Sequence, residues 1–312
     1  MPADDRTTWG EPTGRALLRD VAADAAQVLD RLCVAAPVGP RRMDLVRRTC
    51  AGVHGLVPLG EPGTPPGGAA GAAGPGEPGD DAVRVFAERF AADVTSIDDD
   101  VRSALLTACG DEAFATVQAI YVADMVPRVR AALDALSGAG DGWVLPPGPS
   151  DATDAWALID DLIRVVHRMD ALDPVTTEVV RLRGARQHDC RLCRSLRSRP
   201  ALVAGGDDAL WASVDEPSAM RSPLHRAALG LVDGMIWTPG RLDGEVVDAV
   251  REACTPVQAV ELVLDVLRNA ANKIAVALAA DAPHVAEGVE VYEIDADGTA
   301  RYGLEAPPTP AR

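Results

Sequence analysis

Apolar residues recur at intervals of three and four along most of this chain, the spacing that lines one face of an α-helix. Two long examples are "VRSALLTACGDEAFATVQAIYVADMVPRVRAAL" (Val101 to Leu133) and "VVDAVREACTPVQAVELVLDVLRNAANKIAVAL" (Val246 to Leu278). Two Gly/Pro-rich stretches interrupt the pattern. The first, Glu61 to Asp80, suits a mobile loop, and the second, Ser137 to Ser150, an interdomain linker. Near the end the period changes: "VEVYEIDADGTARYGL" alternates on either side of Asp297-Gly298, a favoured hairpin turn. An all-α fold is expected, with a small C-terminal β-hairpin and a frayed Pro-rich tail.

The two long segments align without gaps at an offset of 145, so that Cys109 falls on Cys254 and Leu133 on Leu278. Upstream, "VGPRRMDLVRR" aligns with "LDPVTTEVVRL" at an offset of 134, bringing Pro40 onto Pro174 and Asp44 onto Glu178. This implies a tandem duplication of one helical unit of roughly 120–130 residues, an ordinary domain size. The expected division is residues 1–140, 151–283, and 284–312 for the hairpin and tail. Leu56 and Leu59 stand where the second copy has Cys190 and Cys193, so the first copy lacks thiol chemistry there.

Composition narrows the function. Aromatics are only 4% of the 312 residues, so Ala, Val and Leu must fill the interior, which suits close-packed helices. A formal net charge of −17 repels phosphate backbones and anionic lipid, which argues against nucleic-acid or membrane-surface partners. Lys273 is the only lysine, a scarcity we ascribe to genomic base composition rather than to a binding site. The N-terminus has no basic region followed by an apolar run, and no stretch approaches the roughly 20 apolar residues of a membrane helix. A cytoplasmic location is expected. There, six cysteines do not make a disulfide framework, and a close pair points to catalysis or metal binding.

That pair is Cys190 and Cys193, in "QHDCRLCRSLR". Asp173 and Pro174 start a helix running to about Arg186. "QHD" then breaks the pattern, and Asp189 is the expected cap of a second helix from Cys190. Both sulfurs would lie in its first turn, where free amides favour a thiolate, with Arg197 four residues beyond Cys193 on the same face. A metal clip has only His188 as a nearby third ligand, short of the four that zinc requires. Inert packing is the remaining alternative, and the one adopted for Cys33, Cys50, Cys109 and Cys254.

The run "LDPVTTEVVRLRGARQHDCRLCRSLR", with the helices that follow and the Asn-rich turn at Asn269 and Asn272, resembles the carboxymuconolactone decarboxylase superfamily. The likeness is to its alkylhydroperoxidase-D-like branch, whose pattern is an acid, eleven residues, C-x-x-C, three residues and a histidine. It covers Asp154 to Leu278, with a degenerate version over Ala16 to Leu136. The resemblance implies an oligomeric helical bundle with a disulfide-cycling site and no cofactor or metal. It makes Cys193 the thiol that meets peroxide, Cys190 its resolving partner, and Glu178 a proton relay. Two positions depart from the pattern: Arg197 stands for the histidine, and Leu192 for an occasional histidine between the cysteines. A guanidinium cannot shuttle a proton, and His188 is the substitute base available. His167 is a more distant candidate.

The expected function is therefore a thiol–disulfide oxidoreductase of the peroxidase type. Its partners would be peroxide or another small oxidant, a dithiol donor protein (lipoyl- or thioredoxin-like), and further copies of the chain in a dimer or trimer. Two alternatives stay open. One is a lyase or isomerase holding a carboxylated small molecule on Arg197 or Arg181. The other is a non-enzymatic redox-sensing oligomer.

Overall fold

The computed structural model describes residues 9, 12–60, 78–140, 143 and 154–307. Its first half contains α1 (Gly14–Val21), α2 (Ala23–Val34), α3 (Pro40–His54), α4 (Asp80–Ala92), α5 (Asp99–Cys109) and α6 (Ala113–Ser137). The second half opens with α7 (Ala155–His167), α8 (Pro174–Gln187), α9 (Arg191–Arg194), α10 (Arg199–Val203) and α11 (Asp208–Ser213). It closes with α12 (Pro223–Trp237), α13 (Gly244–Ala253), α14 (Pro256–Asn269) and α15 (Asn272–Ala277). The fold is all-α with one small sheet. Most of the first Gly/Pro-rich stretch and of the linker, and the end of the tail, lie outside the described residues.

Local chemistry sets many helix starts. Asp98, Asp154 and Asp173 each accept a first-turn amide, and Thr255 forms a reciprocal capping box with Gln258. Such caps are each worth about 1 kcal/mol. The order α2 to α6 recurs in α7, α8, α12, α13 and α14, with α9 to α11 inserted after α8. One difference matters for the site. The first half runs through Pro127 as a single helix, whereas the second breaks after Asn269 and restarts at Asn272.

One hydrophobic core draws on both halves, including Phe86, Phe90, Leu105, Ile120, Leu158, Leu162, Leu231 and Leu264, all essentially inaccessible. Helix α6 is buried on nearly all sides, which marks a central core helix. Its Tyr121 hydroxyl donates to the carbonyl of Leu267 on α14 at 2.8 Å. A smaller cluster of Val179, Leu182, Ala201, Trp211, Val214, Met220 and Leu229 packs α10 and α11 against α8 and α12.

Buried ions also join the halves. Lys273 Nζ lies 2.6 Å from Asp124 Oδ2 and 4.5 Å from the centre of the Phe90 ring. Arg128 Nε donates to Asp124 Oδ1 at 2.8 Å, while Arg128 Nη1 reaches the carbonyls of Met235 and Ile236. Arg128 and Lys273 are equivalent at the 145-residue offset and both clasp Asp124, so the lone lysine has a structural role that composition did not suggest.

The expected hairpin forms from β2 (Glu290–Ile294) and β3 (Ala300–Leu304), with Gly298 at φ 86° in its turn. It is more than an appendage. A third strand, β1 (Leu196–Ser198), pairs in parallel with β2, placing Arg197 opposite Val291. Glu290 N also donates to Ser195 O at 2.7 Å. The hairpin therefore holds the chain immediately after Cys193. Among the described residues, no helix is long and apolar enough to cross a membrane.

Candidate functional site

Helix α8 ends at Gln187, and Asp189 turns the chain with φ 48°, in the left-handed region. That turn corrects the expected cap. Asp189 pairs instead with Arg194, and the N-cap of α9 is Cys190, whose own sulfur accepts Cys193 N at 3.3 Å. The two sulfurs lie 2.8 Å apart. Cys190 is buried and Cys193 half-buried. The Cys190 thiol is raised by its hydrogen bond to Cys193 and by burial. Cys193 is lowered to about 7, chiefly by that same bond, then by the Arg181 charge and an Asn272 hydrogen bond, against burial. Burial instead pushes Cys33 up to about 12 and Cys254 to about 11.

Glu178 sits inside α8, but its carboxylate is committed to Arg181, with Nε–Oε2 at 2.6 Å and Nη2–Oε1 at 2.7 Å. It also accepts Ser198 N at 3.1 Å. Glu178 thus acts on the thiols through Arg181. Although burial opposes it, the Glu178 charge keeps that guanidinium firmly protonated. Arg181 donates to the carbonyls of Cys193 (2.7 Å) and Leu196 (2.9 Å), and lies 5.4 Å from the Tyr292 ring centre. It fixes the backbone of the cysteine turn from α8, while Tyr292 covers it from β2.

Asn272, in the Asn-rich turn at the restart of α15, supplies a direct contact to the thiol. Its Nδ2 donates to Cys193 Sγ at 3.7 Å, leaving Oδ1 to accept from His188 Nδ1 at 3.0 Å. That pairing assigns the proton of the neutral imidazole to Nδ1. Burial, reinforced by the Lys273 charge, lowers His188 to about 3, so it is neutral at physiological pH. His188 orients Asn272, and as a free base it is weak.

Asp281, beyond α15, closes the turn from the other side. Its carboxylate accepts Arg191 N at 2.8 Å and pairs with the Arg191 guanidinium, and its carbonyl accepts Leu192 N at 2.9 Å. Burial opposes ionisation there, but the hydrogen bonds and charge of Arg191 hold Asp281 below the usual carboxylate range.

Arg197 falls elsewhere than expected. Helix α9 is a single turn, so Arg197 lies on β1 and not one helical turn above Cys193. Its Nη1 donates to the carbonyls of Arg194 and Leu196. The cation acting on Cys193 is Arg181. His167 packs against the sheet, with Nε2 at 3.2 Å from Ile294 O, away from the sulfurs. Leu59, at the first-copy position of Cys193, is buried, and Leu56 is half-buried.

Sequence periodicity could not reveal Arg181, Asn272 and Asp281 as a group, because they converge from three separate segments. The Asn-rich turn signalled Asn272, and the position of Arg181 one turn after Glu178 was a weaker cue. Nothing marked Asp281. Among the described residues, no three His, Cys, Asp or Glu side chains group as a metal site.

No family model and no solved structure matches the chain. Two proteins of Mycobacterium tuberculosis do: uncharacterized protein MT2376 (strain CDC 1551 / Oshkosh) and uncharacterized protein Rv2313c (strain ATCC 25618 / H37Rv). Each is 44% identical over 288 residues, spanning 88% of this chain and 96% of the relative.

Proposed function

This chain belongs to the family of the mycobacterial proteins MT2376 and Rv2313c, and we propose that it is a thiol–disulfide oxidoreductase cycling Cys190 and Cys193 in the cytoplasm. One observation carries the reading. A half-buried sulfur lies 2.8 Å from a buried one within one turn, and the hydrogen bond between them lowers the Cys193 thiol while raising the Cys190 thiol. That is the asymmetry an attacking and a resolving thiol require. The resemblance to the alkylhydroperoxidase-D-like branch supports the same assignment.

In the proposed cycle, the Cys193 thiolate attacks a peroxide oxygen and breaks the O–O bond. It becomes a sulfenic acid, and the leaving alkoxide takes a proton from solvent. Cys190 then attacks the sulfenic sulfur. Its proton leaves with the displaced hydroxide as water, and the disulfide forms. Two electrons from a thiol donor restore both thiols. Asn272 and Arg181 stabilise the thiolate and hold its turn, Glu178 holds Arg181, and His188 orients Asn272.

The chain is also proposed to work as a dimer or trimer of itself. Phe114 and Trp156, 45% and 41% exposed, pack on each other at 5.6 Å and offer an apolar contact for a second copy.

The functional test is single-turnover peroxide consumption by the pre-reduced protein, followed by regeneration with dithiothreitol. One peroxide per chain should be consumed, with loss of two thiols. Cys193→Ser should abolish this, and Cys190→Ser should leave a trappable sulfenic acid. Peroxide consumption unchanged in Cys193→Ser would remove the assignment.

A further inference from the structure

A cleft of about 720 Å³ opens beside α9, and four arginines line it: Arg186, Arg191, Arg194 and Arg197. The acids in its wall are Asp189 and Asp215, so the lining carries a net positive charge on a chain of net charge −17. Ser195 and Gly288 complete the wall, which holds no aromatic or apolar side chain among the described residues. The Cys193 sulfur is not part of this wall; it is turned toward Cys190 and Asn272.

The guanidiniums are incompletely spent. Arg197 has no carboxylate at ion-pair distance among the described residues. Its Nη1 goes to two backbone carbonyls, and its buried Nε has no hydrogen-bond partner. Burial, and after it the neighbouring charge of Arg181, works against this cation. An anion in the cleft supplies the counter-charge that Arg197 lacks. Arg191 commits Nε and Nη2 to Asp281, which leaves Nη1 for a ligand. Arg194 and Arg186 pair with Asp189 and Asp215, which are 60% and 66% exposed. Water-screened pairs of that kind are weak, so both cations are free to turn to a better anion.

Size and lining select the ligand class. The volume falls within the roughly 300–1,000 Å³ of small-molecule sites. Guanidiniums match phosphate and carboxylate groups two hydrogen bonds at a time. A wall without apolar side chains offers nothing to a ring or an alkyl chain, and four cations around one cleft call for more than one anionic group. A large acidic partner would meet the repulsive remainder of the surface. We propose that this cleft binds a compact small molecule with two or more phosphate or carboxylate groups, and that its occupancy restrains the Cys193 thiol. The restraint acts through charge and needs no contact with the sulfur. Arg191 and Arg194 belong to α9, the cysteine turn itself. Arg191 neutralises Asp281, a carboxylate that already works against the Cys193 thiolate. An anion that draws on Arg191 frees part of that opposing charge and adds its own, an influence that salt screens.

The test uses the full chain, reduced, at low salt. Calorimetry is run with pyrophosphate, with succinate, and with succinamide as the neutral twin of succinate. Pyrophosphate, succinate or both should bind once per chain, and the tighter of the two identifies the anionic group. Succinamide should not bind, and affinity should fall as salt rises. Arg194→Gln and Arg197→Gln should each weaken binding by about tenfold or more. Arg194 is exposed, so its variant remains informative even if Arg197→Gln does not fold. Absence of binding by both anions, equal binding of succinamide, or full affinity in the folded variants overturns the site. The restraint is read from the rate of Cys193 alkylation by iodoacetamide, an uncharged reagent, against pH. Saturating anion should move the midpoint upward by about 0.3 unit or more, and this shift should vanish in Arg194→Gln. An unmoved midpoint with the anion bound overturns the restraint. Neither readout requires the disulfide to form, so failure of the redox reading and failure of this site are separate results.

Discussion

Replacing Asn272 tests how the thiolate is made. Its side chain donates to Cys193 Sγ at 3.7 Å while accepting from His188. Hydrogen bonds to charged groups contribute about 1.5–3 kcal/mol, and a long bond to sulfur belongs at the weak end. Asn272→Ala should therefore raise the Cys193 pKa by about one unit, equivalent to about 1.4 kcal/mol. Starting from a pKa of about 7, the thiolate fraction at pH 7 falls from about one half to about one tenth. Each remaining thiolate is roughly threefold more nucleophilic, because reactivity rises with basicity. The two effects leave attack on an aromatic disulfide reagent about twofold slower at pH 7, with a plateau about threefold higher above pH 9. The two rate-against-pH curves should cross. Asn272→Asp, which keeps an acceptor for His188 but puts a negative charge beside the sulfur, should shift the curve further in the same direction. Superimposable curves for wild type and both folded variants would show that Asn272 does not act on the sulfur.

Asp281→Asn preserves an acceptor for Arg191 N while removing a charge that raises Cys193, so the same profile should shift to lower pH. Glu261 is lifted from 4.5 to about 7, first by burial and then by Asp265. The folded chain therefore holds that proton more tightly than the unfolded chain, a stabilisation complete below pH 4.5 and lost as pH climbs through 7. Glu261→Gln should accordingly gain stability on wild type across that interval, read from urea midpoints at pH 4, 6 and 8. Lys273→Met strips one of two cations from the buried Asp124. It should cost about 3 kcal/mol, the lower end for breaking a buried pair, in urea unfolding, and Asp124→Asn in the same background should recover part of the loss.

The helical class, the Asp173–Pro174 start and the Asp297-Gly298 turn were legible because each depends on neighbouring residues: a period, a cap, a two-residue turn. The cysteine pair was visible for the same reason. What the sequence hid is set by distant segments. Strand β1 is three residues long, too short for alternation to register, and it exists because β2 supplies the partner edge. Its formation ends α9 after one turn and removes Arg197 from the face of Cys193. The resemblance makes Glu178 a proton relay, whereas its spacing to Arg181 becomes a bidentate clamp only in three dimensions. Lys273 was attributed to composition, yet its solitary survival coincides with the buried carboxylate it pairs with from the other half of the chain.

The central claim is that Cys190 and Cys193 are a working redox couple. Treating the fully reduced chain with one equivalent of hydrogen peroxide and mapping its peptides by mass spectrometry tests this most directly. The account predicts one dominant product, an intramolecular Cys190–Cys193 bridge reversed by dithiothreitol, with Cys33, Cys50, Cys109 and Cys254 still free. Both cysteines remaining as thiols, or bridged to other partners, would contradict it.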